Sequence, residues 1–301
     1  MNPEIELKQP SLGAAYFKMH LSIFLWGFTG LLGKFISFNE GILVWYRLLL
    51  SSIAIAIILF FRKKWPRIPK KEFFKIVGIG FIVMFHWVTW YGSIKLASIS
   101  VAMICLSSIA LFASVLEPLF NRKRIDYVEV LFSCIAVAGI ATIYNSDVSA
   151  GYGIVLGVFS ALLSATFSIF NRKIASRYEP MTITLIELGS GWFFLTLLMP
   201  FYLILYPNYT FVPSISDIVY LLILSQVCTV LTWILTLQAL RRVSAYTMGL
   251  ALNLEPVYGI ILAILFAGEG KLMNAGFISG AGLIVITIAL HTLYKYRGRI
   301  I

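Results

Sequence analysis

Residues Ile42–Phe61 read ILVWYRLLLSSIAIAIILFF, and the basic run Arg62-Lys63-Lys64 follows them directly. This stretch of twenty mostly apolar residues is long enough to cross a hydrocarbon core of roughly 30 Å as an α-helix. A basic run after such a helix is typical of a cytoplasmic loop. The stretch therefore predicts a transmembrane helix that ends on the cytoplasmic side.

Nine further apolar stretches of similar length lie before and after this one. They predict an all-α integral membrane protein with ten transmembrane helices. The predicted segments are Tyr16–Phe35, Ile42–Phe61, Phe74–Ile94, Ser98–Phe120, Val128–Tyr144, Tyr152–Phe170, Thr182–Leu203, Ile218–Leu240, Ser244–Phe266 and Asn274–Leu293.

The basic residues alternate between the loops. With the N-terminus inside, the inside loops hold twenty Lys and Arg residues, and the outside loops hold only Lys34, Lys95 and Lys271. This asymmetry predicts a multi-pass protein of the inner (plasma) membrane with both termini in the cytoplasm. Arg47 is the one remaining basic residue. It lies inside the second segment, where it requires a counter-charge or a hydrated vestibule.

The composition agrees with a membrane protein and excludes two other classes. At 60% hydrophobic and 12% charged residues, with a mean hydropathy of +0.91, the chain cannot be a soluble globule of 301 residues. The net charge of +11 does not indicate nucleic-acid binding, because the basic residues form short clusters without interleaved aromatic residues. We expect membrane lipid, and no nucleic acid, as a partner.

The ten segments divide into two predicted units of five helices, residues 1–145 and 146–301. Weak similarity supports a repeat: Ile99-Ser100-Val101 opens the fourth segment, and Val243-Ser244-Ala245 opens the ninth. Because five is odd, the two units must have opposite orientations in the membrane. An inverted repeat predicts a substrate site near the midplane and alternating access by rocking of one unit against the other.

Three motifs carry a resemblance to a known family. Leu116-Glu117-Pro118 in the fourth segment, Leu254-Glu255-Pro256 in the ninth and the turn Gly268-Glu269-Gly270-Lys271 resemble the EamA-type branch of the drug/metabolite transporter superfamily. Gly270 replaces the basic residue that usually follows the glutamate of that turn. The resemblance covers nearly the whole chain and implies a central cavity lined mainly by helices 1, 3, 4, 6, 8 and 9. It implies no particular substrate.

Polar groups inside hydrocarbon are candidates for the site. Glu255 lies near the middle of the ninth segment, where it could bind a proton or a substrate ammonium; alternatively it bonds another helix, for example through Arg47. Asn253 lies on the opposite face of that segment, whereas Tyr258 shares the face of Glu255. The sequence leaves open which face lines the cavity. Glu187 is expected near the cytoplasmic end, close to water.

The eighth segment carries a polar stripe at helical spacing, Gln226, Thr229, Trp233 and Thr236. The stripe suits an amphipathic solute, or alternatively a helix–helix contact. His86 is compatible with proton coupling or with a bond to a neighbouring helix. The predicted substrate-binding residues are Trp26, Thr29, His86, Trp90, Ser107, Gln226, Thr229, Trp233, Asn253, Glu255 and Tyr258.

The predicted function is secondary transport of a small organic solute, such as an amino acid or related metabolite, with a proton as the possible coupling ion. The alternative is a lipid-modifying membrane enzyme, although the chain lacks the usual catalytic motifs. We predict no catalytic residues, no metal site and no cofactor. Cys105, Cys134 and Cys228 are widely spaced and are expected to be small core residues. The protein is expected to be a monomer or a weak homodimer.

Overall fold

The computed structural model describes residues 11–63, 68–121, 127–146, 151–175, 177–205, 211–239, 242–243, 251–252 and 254–297. Over these residues the chain is helical. The α-helices are α1 (Leu12–Phe35), α2 (Glu40–Phe61), α3 (Lys70–Leu96), α4 (Ile99–Leu106), α5 (Ile109–Asn121), α6 (Tyr127–Ser146), α7 (Gly151–Ala175), α8 (Pro180–Leu205), α9 (Ile215–Leu222), α10 (Thr232–Ala239), α11 (Leu254–Ala267) and α12 (Ala275–Arg297).

Six helical stretches of the described chain are long and apolar enough to cross a membrane, and α11 and part of α12 form shorter apolar helices. Large apolar side chains such as Phe60, Phe201 and Leu205 are exposed on the outside of the bundle. In a membrane these side chains face lipid. The structure therefore supports a multi-pass helical membrane protein, and the count of ten spans stays a prediction.

The predicted fourth segment, Ser98–Phe120, is not one continuous helix: α4 ends at Leu106 and α5 begins at Ile109. At the break, the Ser107 hydroxyl donates to the carbonyl of Met103 at 3.1 Å, and the Ser108 hydroxyl donates to that of Cys105 at 2.6 Å. Serine hydroxyls that bond local carbonyls compete with the helical ladder.

The predicted eighth segment, Ile218–Leu240, also differs from a regular α-helix. A π-helical segment, Ile223–Leu231, joins α9 to α10. A π-helix has wider turns with i→i+5 hydrogen bonds, and such segments occur frequently at functional sites. The wider turn changes the direction of every side chain that follows it.

The helices of the first half (α1–α6) pack against those of the second half (α7–α12) in matching pairs. α3 packs on α7 as α10 packs on α1, and α1 packs on α11 as α7 packs on α4 and α5. α2 packs on α8, and α6 packs on α12. Exchanging each helix for its counterpart in the other half reproduces these pairs, as a two-fold relation between the halves requires. The opposite orientation of the halves stays a prediction.

The turn after α11, in the second half, forms hydrogen bonds to the start of α4, in the first half. Gly268 adopts φ +69°, a left-handed conformation that favours glycine. The next residue, Glu269, is buried, and its carboxylate accepts hydrogen bonds from the backbone N–H groups of Ile99 and Ser100, each at 2.8 Å. A carboxylate at the first turn of α4 stabilises that helix through its unpaired N–H groups and its dipole.

The three cysteines are free. Cys105 and Cys228 are buried as predicted, whereas Cys134 on α6 is exposed and is not a core residue. Within the described parts of the chain, no group of three or more His, Cys, Asp or Glu side chains lies close enough to hold a metal ion.

Candidate functional site

The strongest polar centre of the described structure is Arg47 on α2, which is only 3% exposed. Its Nε donates to the Thr229 hydroxyl at 2.9 Å, and its Nη1 donates to the Tyr91 hydroxyl at 2.9 Å. The guanidinium carbon lies 3.7 Å from the centroid of the Trp87 ring. Hydrogen bonds and a cation–π contact thus hold the group between α2, α3 and the π-helical segment.

No carboxylate forms an ion pair with this guanidinium within the described residues. Glu255 affects Arg47 only through the electrostatic field at longer range. The direct Arg47–Glu255 pair that the sequence left open is therefore absent from the described chain. Nη2 of Arg47 also has no protein acceptor there. The arrangement can accept an anionic group from outside the protein.

The predicted polar stripe begins in the π-helical segment, with Gln226 and Thr229, and continues into α10, with Trp233 and Thr236. Thr229 donates to the carbonyl of Leu224, five residues back, at 2.8 Å, while it accepts from Arg47. Gln226 also contacts α2: its Nε2 donates to the carbonyl of Leu50 at 3.4 Å. Among the described residues, the buried hydroxyl of Thr236 has no hydrogen-bond partner. The prediction of one shared face assumed a regular α-helix, and it stays a prediction for the stripe as a whole.

The indole rings of Trp26, Trp233 and Trp87 contact one another in that order, and Trp87 contacts Arg47. The ring of Trp233 on α10 lies 6.0 Å from that of Trp26 on α1 and 6.0 Å from that of Trp87 on α3, edge to face in both cases. Trp90 is also buried, and its Nε1 has no hydrogen-bond partner in the described part of the chain. The structure thus joins two predicted residues, Trp26 and Trp233, to the guanidinium through Trp87.

Glu255 is half-buried and makes no hydrogen bond or ion pair within the described structure. Tyr258 packs on α1, where its ring lies 5.5 Å from that of Phe24, edge to face. A side chain on Gly27 would collide with the Cβ of Tyr258 at 2.8 Å, so α1 and α11 are in close contact there. Asn253 lies outside the described residues.

Three other predicted residues use their polar groups within the helix bundle. His86 Nδ1 lies 2.9 Å from the carbonyl oxygen of Ser160 on α7, and Nε2 has no partner in the described chain. Thr29 donates to the carbonyl of Trp26 at 2.6 Å. Ser107 bonds within its own helix, as described above. The bond to α7 corresponds to the alternative considered for His86, contact with a neighbouring helix.

A family model, EamA-like transporter family, matches the chain twice, over residues 13–145 and 151–293. The chain belongs to the EamA-like transporter family. Two curated relatives are named uncharacterized transporters. One, from Archaeoglobus fulgidus, is 27% identical over 79% of this chain and 82% of its own length. The other, from Bacillus subtilis, is 23% identical over 89% of this chain and 86% of its own length.

A solved crystal structure resembles this EamA-like transporter with a TM-score of 0.63 and 17% sequence identity, covering 94% of this chain and 99% of the other. At that identity the likeness shows the fold alone. The predicted membership of the family is confirmed. The family and the names of the relatives favour transport over the lipid-modifying enzyme.

Sequence reasoning did not place Arg47, Trp87 and Tyr91 among the predicted substrate-binding residues. A basic residue inside an apolar segment indicates a functional site. Trp87 and Tyr91 are four residues apart and therefore share a face of α3. That pattern, read together with Arg47, is the feature of the sequence that indicates this centre.

Proposed function

We propose that this EamA-like transporter is a secondary transporter that carries a small organic solute with a carboxylate and an apolar part, such as an amino acid or related metabolite. Transport follows alternating access across the inner membrane, with both termini in the cytoplasm. The observation that carries the proposal is the buried guanidinium of Arg47, which lacks a carboxylate partner within the described chain.

An unneutralised charge within a bilayer costs about 2.5–3.5 kcal/mol on insertion scales. A carboxylate of the solute would remove part of that cost, because arginine presents parallel N–H donors to the two oxygens. The bonds to Thr229 and Tyr91 already fix the direction of the guanidinium. The site is therefore oriented before the solute arrives, which favours binding.

The indoles of Trp26, Trp87 and Trp233 supply the apolar side of the proposed site. Edge-to-face rings of this kind bind flat or aliphatic groups through area and dispersion. Glu255, which has no partner in the described chain and lies within the electrostatic range of Arg47, supplies a negative group for a solute ammonium. A zwitterionic amino acid complements both charges.

The test is uptake of labelled amino acids and their decarboxylated amines into proteoliposomes, with and without an imposed proton gradient. We expect uptake of at least one acid and no uptake of its amine. Arg47→Lys should lower the uptake at limiting solute about tenfold, because one hydrogen bond to a charged group contributes about 1.5–3 kcal/mol. Arg62→Lys, the same change at the exposed end of α2, is the matched control.

Equal uptake of acid and amine would contradict the role of the carboxylate. Equal losses in Arg47→Lys and Arg62→Lys would contradict the role of Arg47. Modification of a lipid by the purified protein, without any solute flux, would favour the enzyme alternative.

A further inference from the structure

Glu187 on α8 is fully buried, and neither of its carboxylate oxygens has a hydrogen-bond partner among the described residues. The expectation of a position close to water was therefore wrong. The side chain of Asn171 on α7 is the polar group that interacts with the carboxyl group, but it forms no hydrogen bond of regular geometry with it. This acid is separate from the Arg47 centre and plays no part in the binding of solute proposed above.

Glu187 lies where the two halves of the protein touch. A side chain on Gly80 of α3 would come within 2.3 Å of the carbonyl oxygen of Glu187 and 2.2 Å of the Ser190 hydroxyl oxygen. A side chain on Gly191 would come within 3.0 Å of the carbonyl oxygen of Gly80. The backbones of α3 and α8 are thus in direct contact beside the acid, without space for water between them.

Charged groups of the neighbouring helices at this end are engaged elsewhere or exposed. Glu72 and Lys75 of α3 pair with each other at 2.6 Å. Arg62, at the end of α2, lies 3.7 Å from the sulfur of Met181. Lys173 of α7 and Arg177 after it are exposed. On α10, Gln238 accepts a hydrogen bond from Lys18 of α1. None of these groups bonds to Glu187.

An ionised carboxylate cannot remain buried without a partner, whereas the neutral acid can. The closed contact between α3 and α8 therefore requires the acid to hold a proton. We propose that Glu187 is a proton-binding site that couples closure of α3 against α8 to proton uptake. The carboxylate takes a proton from water when the contact is open, becomes a neutral acid, and returns the proton when the contact opens again.

This inference rests on the proposed function only in its last step, where closure accompanies movement of a solute. Proton binding itself can be tested without any solute. Dicyclohexylcarbodiimide adds to protonated, apolar carboxylic acids: the acid oxygen bonds to the central carbon, and the acid proton moves to a nitrogen. The labelled peptide is then identified by mass spectrometry.

In the purified protein we expect labelling of Glu187 at mildly acidic pH, when transient opening of the contact admits the reagent to the protonated acid. The labelling should fall about tenfold for each pH unit above the midpoint of Glu187. Glu72, ionised beside Lys75 at the same end of the protein, should remain unlabelled and serves as the internal control. Absence of label on Glu187 at every pH, or equal label on both residues, would overturn the proposal.

The second experiment measures closure of the contact. In a parent without Cys105, Cys134 and Cys228, Ser190→Cys places a thiol against Gly80. Maleimide reacts with the thiolate, so each rate is divided by that of the exposed Lys70→Cys variant at the same pH. We expect this relative rate to rise with pH, because loss of the proton opens the contact. Added Glu187→Gln should give a low relative rate that does not change with pH, added Glu187→Asp should restore the pH dependence, and added Glu72→Gln should leave it unchanged.

Identical pH profiles in the parent and the Glu187→Gln variant would overturn the coupling. Where Glu187→Gln does not fold, the carbodiimide result on the natural residue decides. Loss of amino-acid flux in every preparation, with both proton experiments positive, would refute the proposed solute and retain the proton site.

Discussion

Arg47 and Glu187 occupy the same position in corresponding helices of the two repeats: each is the eighth residue of its helix, counted from Glu40 of α2 and from Pro180 of α8. Both side chains are buried, and within the described chain neither has an ion-pair partner. One repeat thus carries a buried base where the other carries a buried acid. If the repeats are inverted as predicted, the two groups lie toward opposite sides of the membrane.

Gly33→Ala should break the hydrogen bond between Arg47 and the Tyr91 hydroxyl. A Cβ at Gly33 would lie 2.2 Å from Cε1 of the buried Tyr91 ring, so the ring must move. We expect a cost of about 1–3 kcal/mol from overpacking, seen as a lower melting temperature in detergent together with reduced flux.

The matched control for this variant is Gly13→Ala in the same helix, where a Cβ meets nothing within 4 Å. Alanine there should be neutral or stabilise the helix by about 0.5–1 kcal/mol. Equal melting temperatures for both variants would show that Tyr91 is not tightly held.

Glu255→Gln should keep the melting temperature of the parent, because no described group forms an ion pair with this carboxylate. Breaking a buried ion pair would instead cost about 3–5 kcal/mol. If Glu255 binds the solute ammonium, uptake of a zwitterionic amino acid should fall sharply. A large loss of stability that is rescued by neutralising Arg47 would indicate a structural pair.

Glu269→Ala removes the carboxylate from the first turn of α4. Loss of a helix cap costs about 0.5–2 kcal/mol, so the melting temperature should fall. Lys271→Ala, an exposed change two residues further along the same turn, is the control and should have little effect. A smaller decrease for Glu269→Ala than for Lys271→Ala would contradict the capping role.

The orientation of the chain can be tested without knowledge of the solute. Single cysteines at Lys70 and Val212, both near helix starts and not buried, are introduced into a parent that lacks the natural cysteines. An impermeant maleimide should label Lys70→Cys only from the cytoplasmic side and Val212→Cys only from the other side. Labelling of both from one side would contradict the predicted number of spans between them.

The helix positions followed from the sequence where apolar runs have clear ends. The second helix was predicted over Ile42–Phe61 and is observed over Glu40–Phe61, where the side chain of Asn39 caps its N-terminus. The break at Ser107 and the π-helical segment were not predicted. Their causes are local bonds of hydroxyl groups and the packing of α2 against the π-helical segment, which hydrophobic periodicity does not report.

The candidate site was predicted only in part. Thr229, Trp233 and Trp26 lie in the cluster, but its centre, Arg47, bonds to residues 44 and 182 positions away in the chain. Such partners are fixed by the packing of helices from both halves. The burial of Glu187 was not predictable for the same reason. The residues that bury it belong to α3 and α7 and not to its own helix.

The turn that contains Glu269 constrains the sequence in a way that is independent of the molecule transported. Its carboxylate binds two backbone N–H groups, which every residue except proline supplies. Carriers of chemically unrelated molecules can therefore share this turn. A conformational change that moves this turn away from α4 breaks the same two hydrogen bonds in every such carrier. The free-energy cost of breaking them is therefore independent of the molecule transported. Sequence similarity in this turn therefore indicates a shared transporter fold and carries no information about the transported substrate.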